Sequence, residues 1–293
     1  MRQESWGLLE RSSVTARSRQ LRVLVFGAHP DDCDFKCGGL SLKLTDLGHV
    51  VKFVACTNGC TGHFKQGGLQ VARRRYEEAQ ASAAIAKLDE YQVLDNHSGE
   101  LEPSVTNRKT IIRLMREFRP DVIITHRPND YHPDHRCTSQ LVQDASYIIT
   151  VPNMLPLTEA LSHQPVICYM SDPFKKPAPF SPDILVPIDG VVERKAKMIH
   201  CHTSQVYEWM PFNRGASDEV PSDDEARFRW LRDTYLPSRW DWNLADEYRE
   251  RLVCLCGEAG QMVKYAEAFE ICEYGQSLKG DRESISQYFP LGV

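Results

Sequence analysis

The sequence predicts an α/β fold with a doubly wound, mostly parallel sheet, helices on both of its faces and an irregular C-terminal extension. The first half of the 293-residue chain alternates short apolar runs with longer amphipathic stretches, which is the pattern of βαβ units. Right-handed crossovers would place the helices of such units on both sides of one sheet. After residue 150 prolines become frequent and the alternation weakens, so this part is predicted to be less regular.

Four strands and four helices are predicted before residue 150. The strands are apolar runs at 21–27, 50–56, 91–94 and 122–125. The helices are amphipathic stretches at 39–47, 70–88 and 107–118, and a run that begins with Pro133 and ends at Ile149. The stretch 70–88 shows the pattern clearly, because its alanines lie on one side of a helical projection and Arg73, Arg74 and Glu77 lie on the other.

The C-terminal part has three weaker elements, a strand at 184–187, a helix at 191–202 and a strand at 265–274. Residues 206–242 hold four of the five tryptophans. Long irregular segments in compact domains are often functional, so we predict a loop region here that contacts substrate or another subunit. We interpret residues 1–20 as a flexible N-terminal arm and residues 21–293 as a single catalytic domain.

Charge and cysteine content narrow the class of protein. The 35 basic and 40 acidic residues give a formal charge of −5 and form no basic run, which argues against a nucleic acid partner. No apolar run approaches the roughly 18 residues of a membrane span, and the first 20 residues lack the pattern of an export signal. We therefore expect a cytoplasmic protein, in which most of the ten cysteines are reduced and buried. A structural zinc site is not expected, because the cysteine spacing lacks the paired C-x-x-C of a zinc ribbon.

Candidate metal ligands follow the first predicted strand. His29, Asp31 and Asp32 come directly after the run 21–27, and ligands of such sheets bind beyond the carboxyl ends of the strands. A histidine nitrogen and a carboxylate oxygen are two of the three protein ligands that catalytic zinc typically takes. Adjacent aspartates point in different directions, so one can bind metal while the other faces a water molecule.

A second cluster follows the strand 122–125. His132 and His135 lie three residues apart, and Pro133 between them suits the first position of a helix. Side chains at this spacing share one face of the first turn, so one histidine can bind metal and the other can reach the substrate. Each cluster alone is explained by capping or structural roles, but together they predict a metal centre.

The two clusters resemble the signature motifs of a known family. The segments AHPDD (residues 28–32) and DYHPDH (residues 130–135) are similar to the motifs of the LmbE-like, or N-acetylglucosaminylphosphatidylinositol de-N-acetylase (PIG-L), family. Weaker similarity extends through the Arg75-x-x-Glu78 pair and the segments 95–99 and 195–205. Many members have glutamate after the paired aspartates where this chain has Cys33, whose thiol either adds a soft metal ligand or packs behind the site.

The resemblance implies a Rossmann-like fold and a zinc ion held by His29, Asp32 and His135. It also implies that Asp31 acts as the general base for a water molecule. His132 would stabilise the oxyanion or help to protonate the leaving amine.

The resemblance assigns further residues to supporting roles. Asp130 or Asp134 would orient a liganding histidine. Arg75 and Asp95 are expected near the substrate cleft, where guanidinium and carboxylate groups bind sugar hydroxyls. His202 is a third substrate-binding candidate, with a capping or core role as its structural alternative.

The implied activity is zinc-dependent hydrolysis of an N-acetyl or other small N-acyl group on an amino sugar or sugar conjugate. The partner would be a small N-acylated, sugar-like substrate, and the resemblance suggests a homo-oligomer. One alternative is metal-dependent hydrolysis of another amide, an ester or a phosphoester; phosphoester chemistry usually needs two metals about 3.5–4 Å apart, and the sequence supplies ligands for one. Another is a zinc-containing protein that binds without turnover, which the presence of Asp31 disfavours.

Overall fold

The described part of the chain, residues 19–292 of a computed structural model, is built on one seven-stranded sheet. Its strands are β1 (Arg22–Gly27), β2 (Val50–Ala55), β3 (Glu90–Val93), β4 (Val122–Thr125), β5 (Val166–Met170), β6 (Ile184–Pro187) and β7 (Ala266–Ile271). Their order in the sheet is β3-β2-β1-β4-β5-β7-β6. The first five strands are parallel, and β7 is antiparallel to its neighbours β5 and β6.

Helices cover both faces of this sheet. The α-helices of residues 19–292 are α1 (Asp32–Asp46), α2 (Leu69–Ala86), α3 (Val105–Phe118), α4 (Pro133–Ile148), α5 (Val192–His200), α6 (Met210–Asn213), α7 (Asp224–Trp230), α8 (Arg249–Cys256) and α9 (Arg282–Ser286). Apolar residues of α1 and α2 pack with one face of the strands, and those of α3 and α4 pack with the other. The predicted α/β, Rossmann-like architecture is confirmed.

Helix α1 begins at Asp32, seven residues before its predicted start at residue 39. The Gly38-Gly39 pair, which lies near the predicted start, instead falls inside the helix where neighbours approach closely. A Cβ on Gly39 would lie 2.6 Å from the side chain of Ile188, and the N–H of Gly39 donates to Glu267 at 2.7 Å. Asp32 therefore lies in the first turn of a helix, where the partial positive charge of the N-terminus favours a carboxylate.

Residues 206–242, predicted as a loop region, are mostly helical. They include α6, α7 and the π-helical turns Ser204–Trp209 and Leu231–Tyr235. A separate hydrophobic cluster joins this segment to α1 through Phe35 and to α5 through Ile199. Because π turns bond residue i to residue i+5, they shift the register of apolar positions and hide the 3.6-residue period from sequence reasoning.

The predicted arm, residues 1–20, falls largely outside the described residues, which begin at residue 19. The two described residues contact the body of the protein. Arg19 pairs with Asp121, and the amide of Gln20 donates to the carbonyl of Gly48 at 2.8 Å. No helix in the described range has both the length and the apolar composition of a membrane span.

Candidate active site

The two histidine- and aspartate-rich segments meet at the carboxyl edge of the sheet. Strand β1 pairs in parallel with β4, with Val25 opposite Ile124, so residues 28–32 and 126–135 leave the sheet side by side. His132 caps the N-terminus of α4, and Pro133 takes its first position as the sequence predicts. The two motifs are close in space because the strands that precede them are neighbours.

Three donor atoms of this cluster form a nearly equilateral triangle. Nδ1 of His29 lies 3.4 Å from Oδ2 of Asp32 and 3.3 Å from Nε2 of His135. The third side, from Nε2 of His135 to Oδ2 of Asp32, is 3.5 Å. Tetrahedral zinc binds such donors at about 2.0–2.2 Å, which places neighbouring donors about 3.3–3.6 Å apart. The spacing therefore fits one metal ion with a fourth position for a ligand that is not protein.

A carboxylate stands behind each histidine of the triangle. Nε2 of His29 lies 3.1 Å from Oδ2 of Asp134, and Nδ1 of His135 lies 3.0 Å from Oδ2 of Asp130. Burial acts to raise the pKa of both aspartates, but their bonds to the histidines hold each pKa below its usual value. Both carboxylates are therefore ionised at neutral pH and fix the orientation of the two rings.

The carboxylates of Asp134 and Asp32 make the triangle a site for positive charge. Burial acts to lower the pKa of His29, but its hydrogen bonds to Asp134 and Asp32 outweigh burial and raise that pKa to about 9. A proton stabilised in this way occupies the position that a cation would take. A metal ion that binds the triangle would displace this proton, because its ligands must be deprotonated.

Asp31 lies beside the triangle and is held by Arg75. Nη2 of Arg75 donates to Oδ1 of Asp31 at 2.8 Å, and both side chains are buried. A loop wraps around the guanidinium group, since a Cβ on Gly59 or Gly62 would lie only 2.6–2.7 Å from an atom of Arg75. Arg75, predicted to bind substrate, lines the cavity, and its observed hydrogen bond is to the side chain of Asp31.

His132 presents a neutral N–H group to the cavity. Its Nδ1 accepts a hydrogen bond from the backbone of Asp134 at 3.2 Å, so the proton of the neutral ring lies on Nε2. Burial lowers the pKa of His132, the neighbouring histidines His29 and His135 add to this effect, and the pKa falls to about 4. The ring is therefore an uncharged hydrogen-bond donor at neutral pH.

His126 also belongs to the cluster, and sequence reasoning did not single it out. Its Nε2 lies 3.2 Å from Oδ2 of Asp32, and its ring stacks on that of His135 with centroids 4.0 Å apart. Within the described residues, Asp32, His126 and His135 form one further group of possible metal ligands, and His29, His132 and His135 form another. The sequence did contain one signal for His126, which is its position directly after a strand. His126 is the first residue after β4, as Ala28 is the first residue after β1, and ligands bind beyond the carboxyl ends of such strands.

Two chambers meet at the triangle. The first, which we call the polar chamber, has a volume of about 360 Å³ and is lined by Thr61, Ser98, His132, Gln205, Asn213 and Arg214. The second, which we call the aromatic chamber, has a volume of about 280 Å³ and is lined by Phe35, Met170, Phe174 and Trp240. Both chambers are also lined by Asp31, Asp32, Tyr131, His135, Met210 and Arg239.

The segment 204–239 forms one wall of the polar chamber, and Glu78 of α2 anchors it. One carboxylate oxygen of Glu78 accepts from the backbone N–H of Ser204 at 2.8 Å and from the hydroxyl of Thr203 at 2.9 Å. The other accepts from the hydroxyl of Ser204 at 2.6 Å. The helix that carries Arg75 thus also fixes the cavity wall, which explains the spacing of the Arg75-x-x-Glu78 pair.

Two residues predicted to bind substrate lie away from both chambers. Asp95 is exposed, and its carboxylate accepts from the amide of Asn58 at 3.0 Å. His202 is fully buried, and its Nε2 lies 3.2 Å from Oδ2 of Asp34. Helix α5 ends at His200 and turns the next residues beneath α1, so the structure places His202 in the core, as its structural alternative expected.

Cys33 packs behind the site. Its side chain is fully buried, and its sulfur lies 3.7 Å from the carbonyl oxygen of Val25. Burial raises the pKa of this thiol well above its usual value. Of the two roles predicted for Cys33, the structure shows the packing role. All ten cysteines are free of disulfides and seven are buried.

Residues 24–146 match the sequence profile of the family described as GlcNAc-PI de-N-acetylase, or PIG-L. This segment contains the complete triangle together with Asp31, Arg75 and His132. The cavity wall formed by residues 204–239 lies outside it.

Two relatives and one solved structure extend the similarity. A diacetylchitobiose deacetylase of Thermococcus kodakarensis is 31% identical over 208 residues, which are 66% of this chain and 75% of that protein. A 4-oxalmesaconate hydratase of Pseudomonas putida is 26% identical over 70% of this chain and 82% of that protein. The structure of the N,N'-diacetylchitobiose deacetylase from Pyrococcus horikoshii matches with a TM-score of 0.63 at 25% identity, covering 86% of this chain and 84% of its own.

Proposed function

This chain belongs to the PIG-L (LmbE-like) family of de-N-acetylase enzymes, and on that premise we propose that it removes an N-acetyl group from a small amino-sugar substrate with the help of bound zinc. The triangle of His29, Asp32 and His135 beside Asp31 carries this proposal. The similarity to two diacetylchitobiose deacetylases supports both the amide bond and the sugar. Ten cysteines without a disulfide support action in the reducing cytoplasm.

The donor set favours zinc over harder cations. Two imidazole nitrogens and one carboxylate oxygen are a known ligand set of catalytic zinc, whereas magnesium and calcium prefer oxygen ligands alone. A zinc ion held there would polarise the amide carbonyl and lower the pKa of a water molecule. Asp130 and Asp134 would keep the two rings oriented toward it.

Asp31 is suited to take the proton of the attacking water. Its Oδ1 is engaged by Arg75, while its Oδ2 has no hydrogen-bonding partner among residues 19–292 and is available to the water. The Nε2–H of His132 would stabilise the negative charge that develops on the carbonyl oxygen. As the carbon–nitrogen bond breaks, Asp31 would return its proton to the leaving amine, which gives a carboxylic acid and an amine; the acid then loses its proton to the amine, so that a carboxylate and a protonated amine are the products.

The walls of the polar chamber support a hydroxyl-rich substrate. Thr61, Ser98, Gln205 and Asn213 offer donors and acceptors to ring hydroxyls. Its 360 Å³ lies in the range of small-molecule sites. We therefore assign the segment 206–242 to substrate binding within a single catalytic domain.

Acetate release from N-acetylated amino sugars tests this function. The zinc-loaded protein should release acetate and free amine, and Asp31→Asn should keep its metal while losing about 10²-fold or more in kcat, as expected for loss of an acid–base group. Asp46→Asn, which changes an exposed aspartate at the far end of α1, is the control for loss of one charge.

Other outcomes would point elsewhere. Failure to bind stoichiometric zinc would contradict the metal centre. A protein that binds zinc but leaves these substrates intact would be tested next on other amides, on esters and on hydration of unsaturated acids, since one relative is a hydratase. Continued inactivity would favour a zinc-containing protein that binds without turnover.

A further inference from the structure

The aromatic chamber takes no part in the chemistry above, yet it opens onto the reacting centre. Asp31, Asp32 and His135 line both chambers, so the amide that reacts lies where the chambers meet. The acyl part and the amine part of a substrate extend from this amide in different directions. Each chamber therefore receives one of the two parts.

The polar chamber suits the amine part. Its walls carry the uncharged hydrogen-bonding groups of Thr61, Ser98, Gln205 and Asn213. Arg214 adds a guanidinium group that lies 4.5 Å from the ring centroid of Tyr235 and makes no salt bridge to any residue in the range 19–292. A ring with several hydroxyl groups would satisfy these donors and acceptors, whereas an alkyl chain would leave them without partners.

The aromatic chamber has relatively more apolar wall than the polar chamber, although seven charged side chains also line it, and it therefore suits an apolar group better than the polar chamber does. Its walls include the side chains of Phe35, Met170, Phe174 and Trp240. The charged side chains there already have partners within the protein: Asp31 pairs with Arg75, and the carboxylates of Asp32 and Asp130 lie 3.5 and 3.0 Å from His135. Lys36 and Arg239 lie 2.7 and 2.8 Å from Asp241, and Arg127 lies 3.0 Å from Asp172. No unpaired charge of these residues is left to attract an ionic ligand.

Two aromatic side chains stand at the rim of this chamber. Trp240 is 41% exposed, and the ammonium group of Lys36 lies 4.1 Å from its ring centroid. Tyr131 is 70% exposed, and its ring centroid lies 5.9 Å from that of Phe174. Lys36 covers part of the Trp240 ring, and the exposed parts of the two rings can cover part of a ligand.

The chamber is also too large for an acetyl group. Its volume is about 280 Å³, whereas a water molecule, which is close in size to a methyl group, takes about 30 Å³ of liquid volume. An acetyl group would fill only a small part of this space and would leave the apolar walls in contact with water. An unbranched acyl group of about four to six carbons would fill much more of it.

We infer that the aromatic chamber is an acyl-binding subsite, and that this enzyme hydrolyses N-butanoyl and N-hexanoyl amino sugars more efficiently than N-acetyl ones. The reaction is the same: water adds to the carbonyl carbon, the carbon–nitrogen bond breaks, and the products are a fatty acid anion and the protonated amine. The inference rests on the proposed function and adds to it the length of the acyl group.

A series of N-acyl glucosamines with two, four and six acyl carbons tests the inference on the zinc-loaded full chain. Burying one methylene group changes an equilibrium or rate by about fourfold, so kcat/KM should rise at least tenfold from acetyl to hexanoyl. A second measurement does not depend on turnover. Calorimetric titration should show that hexanoate binds at least tenfold more tightly than acetate.

Two tryptophans provide a matched pair of variants. Trp240 lines only the aromatic chamber, and Trp209 lines only the polar one. Trp240→Ala should lower the hexanoyl to acetyl ratio of kcat/KM by about tenfold, which is the loss of roughly two buried methylene contacts. Trp209→Ala should weaken all the substrates of the series alike and leave that ratio as it is.

The outcomes separate the two levels of the proposal. If acetate is released but kcat/KM falls with acyl length and hexanoate binds no better than acetate, the acyl subsite is wrong and the deacetylase function stands. A ratio that responds to Trp209→Ala instead of Trp240→Ala would place the acyl group in the polar chamber and overturn the inference. If no N-acyl glucosamine reacts, the proposed function fails. The calorimetric comparison of hexanoate with acetate then decides by itself whether the aromatic chamber binds acyl groups.

Discussion

Replacing Asp134 by asparagine should weaken zinc binding although Asp134 is not a zinc ligand. Its side chain is fully buried. One oxygen accepts from Nε2 of His29 at 3.1 Å and from the N–H of Gly99 at 2.7 Å, and the other accepts from the N–H of Leu101 at 3.3 Å. Asparagine keeps the shape and the first two bonds, but it removes the negative charge and turns an N–H group toward Leu101.

The size of the effect follows from these contacts. Loss of a carboxylate behind a liganding histidine typically lowers metal affinity 10–100-fold. This corresponds to about 1.4–2.8 kcal/mol of binding free energy. In the proposed site zinc binds only the folded chain. The same free energy would therefore be lost from the zinc-dependent part of the unfolding free energy when the zinc concentration is well above the dissociation constants of both proteins.

The assay is competition with a chelator of known affinity, paired with unfolding in urea at saturating zinc and without zinc. Asp144→Asn is the matched control, because Asp144 lies on the same helix, α4, and pairs with Arg108 at 2.9 Å on the surface. If Asp134→Asn folds normally and binds zinc within twofold of the native protein, His29 does not act as a ligand supported by Asp134. The assignment of the triangle would then be wrong.

Three further outcomes are expected. Arg75→Met should lower the free energy of unfolding in urea by about 3 kcal/mol, because it leaves the buried carboxylate of Asp31 unpaired. Its kcat should fall by a larger factor than its KM rises, and an unchanged kcat would refute the pairing role of Arg75. Gly59→Ala should cost more than the roughly 1–2 kcal/mol expected from its φ of +72° alone, because its Cβ would also lie 2.6 Å from the buried side chain of Arg75; Gly67→Ala meets no neighbouring atom and should cost much less. Burial acts to raise the pKa of Asp241, but its two cationic partners hold that pKa far below its usual value. The ionised carboxylate therefore stabilises the fold above about pH 4, and this stabilisation is lost as the pH falls. Asp241→Asn should be less stable than the native protein at pH 7 and should lose less stability on acidification.

The sequence was sufficient for the architecture and for the chemical cluster. Strand β4 lies at its predicted limits, Val122–Thr125, because a fully buried parallel strand reads as a short apolar run between breakers. His29 and His135 come together because both follow strands whose order in the sheet is governed by right-handed crossovers. Local patterns and general topological rules carry this information.

Contacts between distant segments could not be predicted. Helix α1 continues through Gly38 and Gly39, and the missing Cβ of Gly39 leaves room for Ile188 while its N–H donates to Glu267. The position of His202 depends on Asp34, which is 168 residues earlier in the chain and equally buried. The sequence around His202 or around Asp34 gives no indication that the two residues are in contact.

The role of Arg75 shows the same limit on a single side chain. A solvated helix face, an ion pair and a substrate contact were all compatible with its helical position. Its partner was decided by the loop that contains Gly59 and Gly62, which closes on the guanidinium group and directs it toward Asp31. Pairing of this kind depends on three separate segments of the chain.

Different parts of the chain supply the reacting groups and the shape of the cavity, and this separation affects how such an enzyme changes over evolutionary time. The proposed chemistry uses residues 29–135, and much of the shape of the cavity depends on the helical segment 204–239. Mutations in the later segment can alter which molecule is accommodated without disturbing the groups that break the bond. A lineage with this arrangement can explore new substrates by drift in one region, while purifying selection acts on the other.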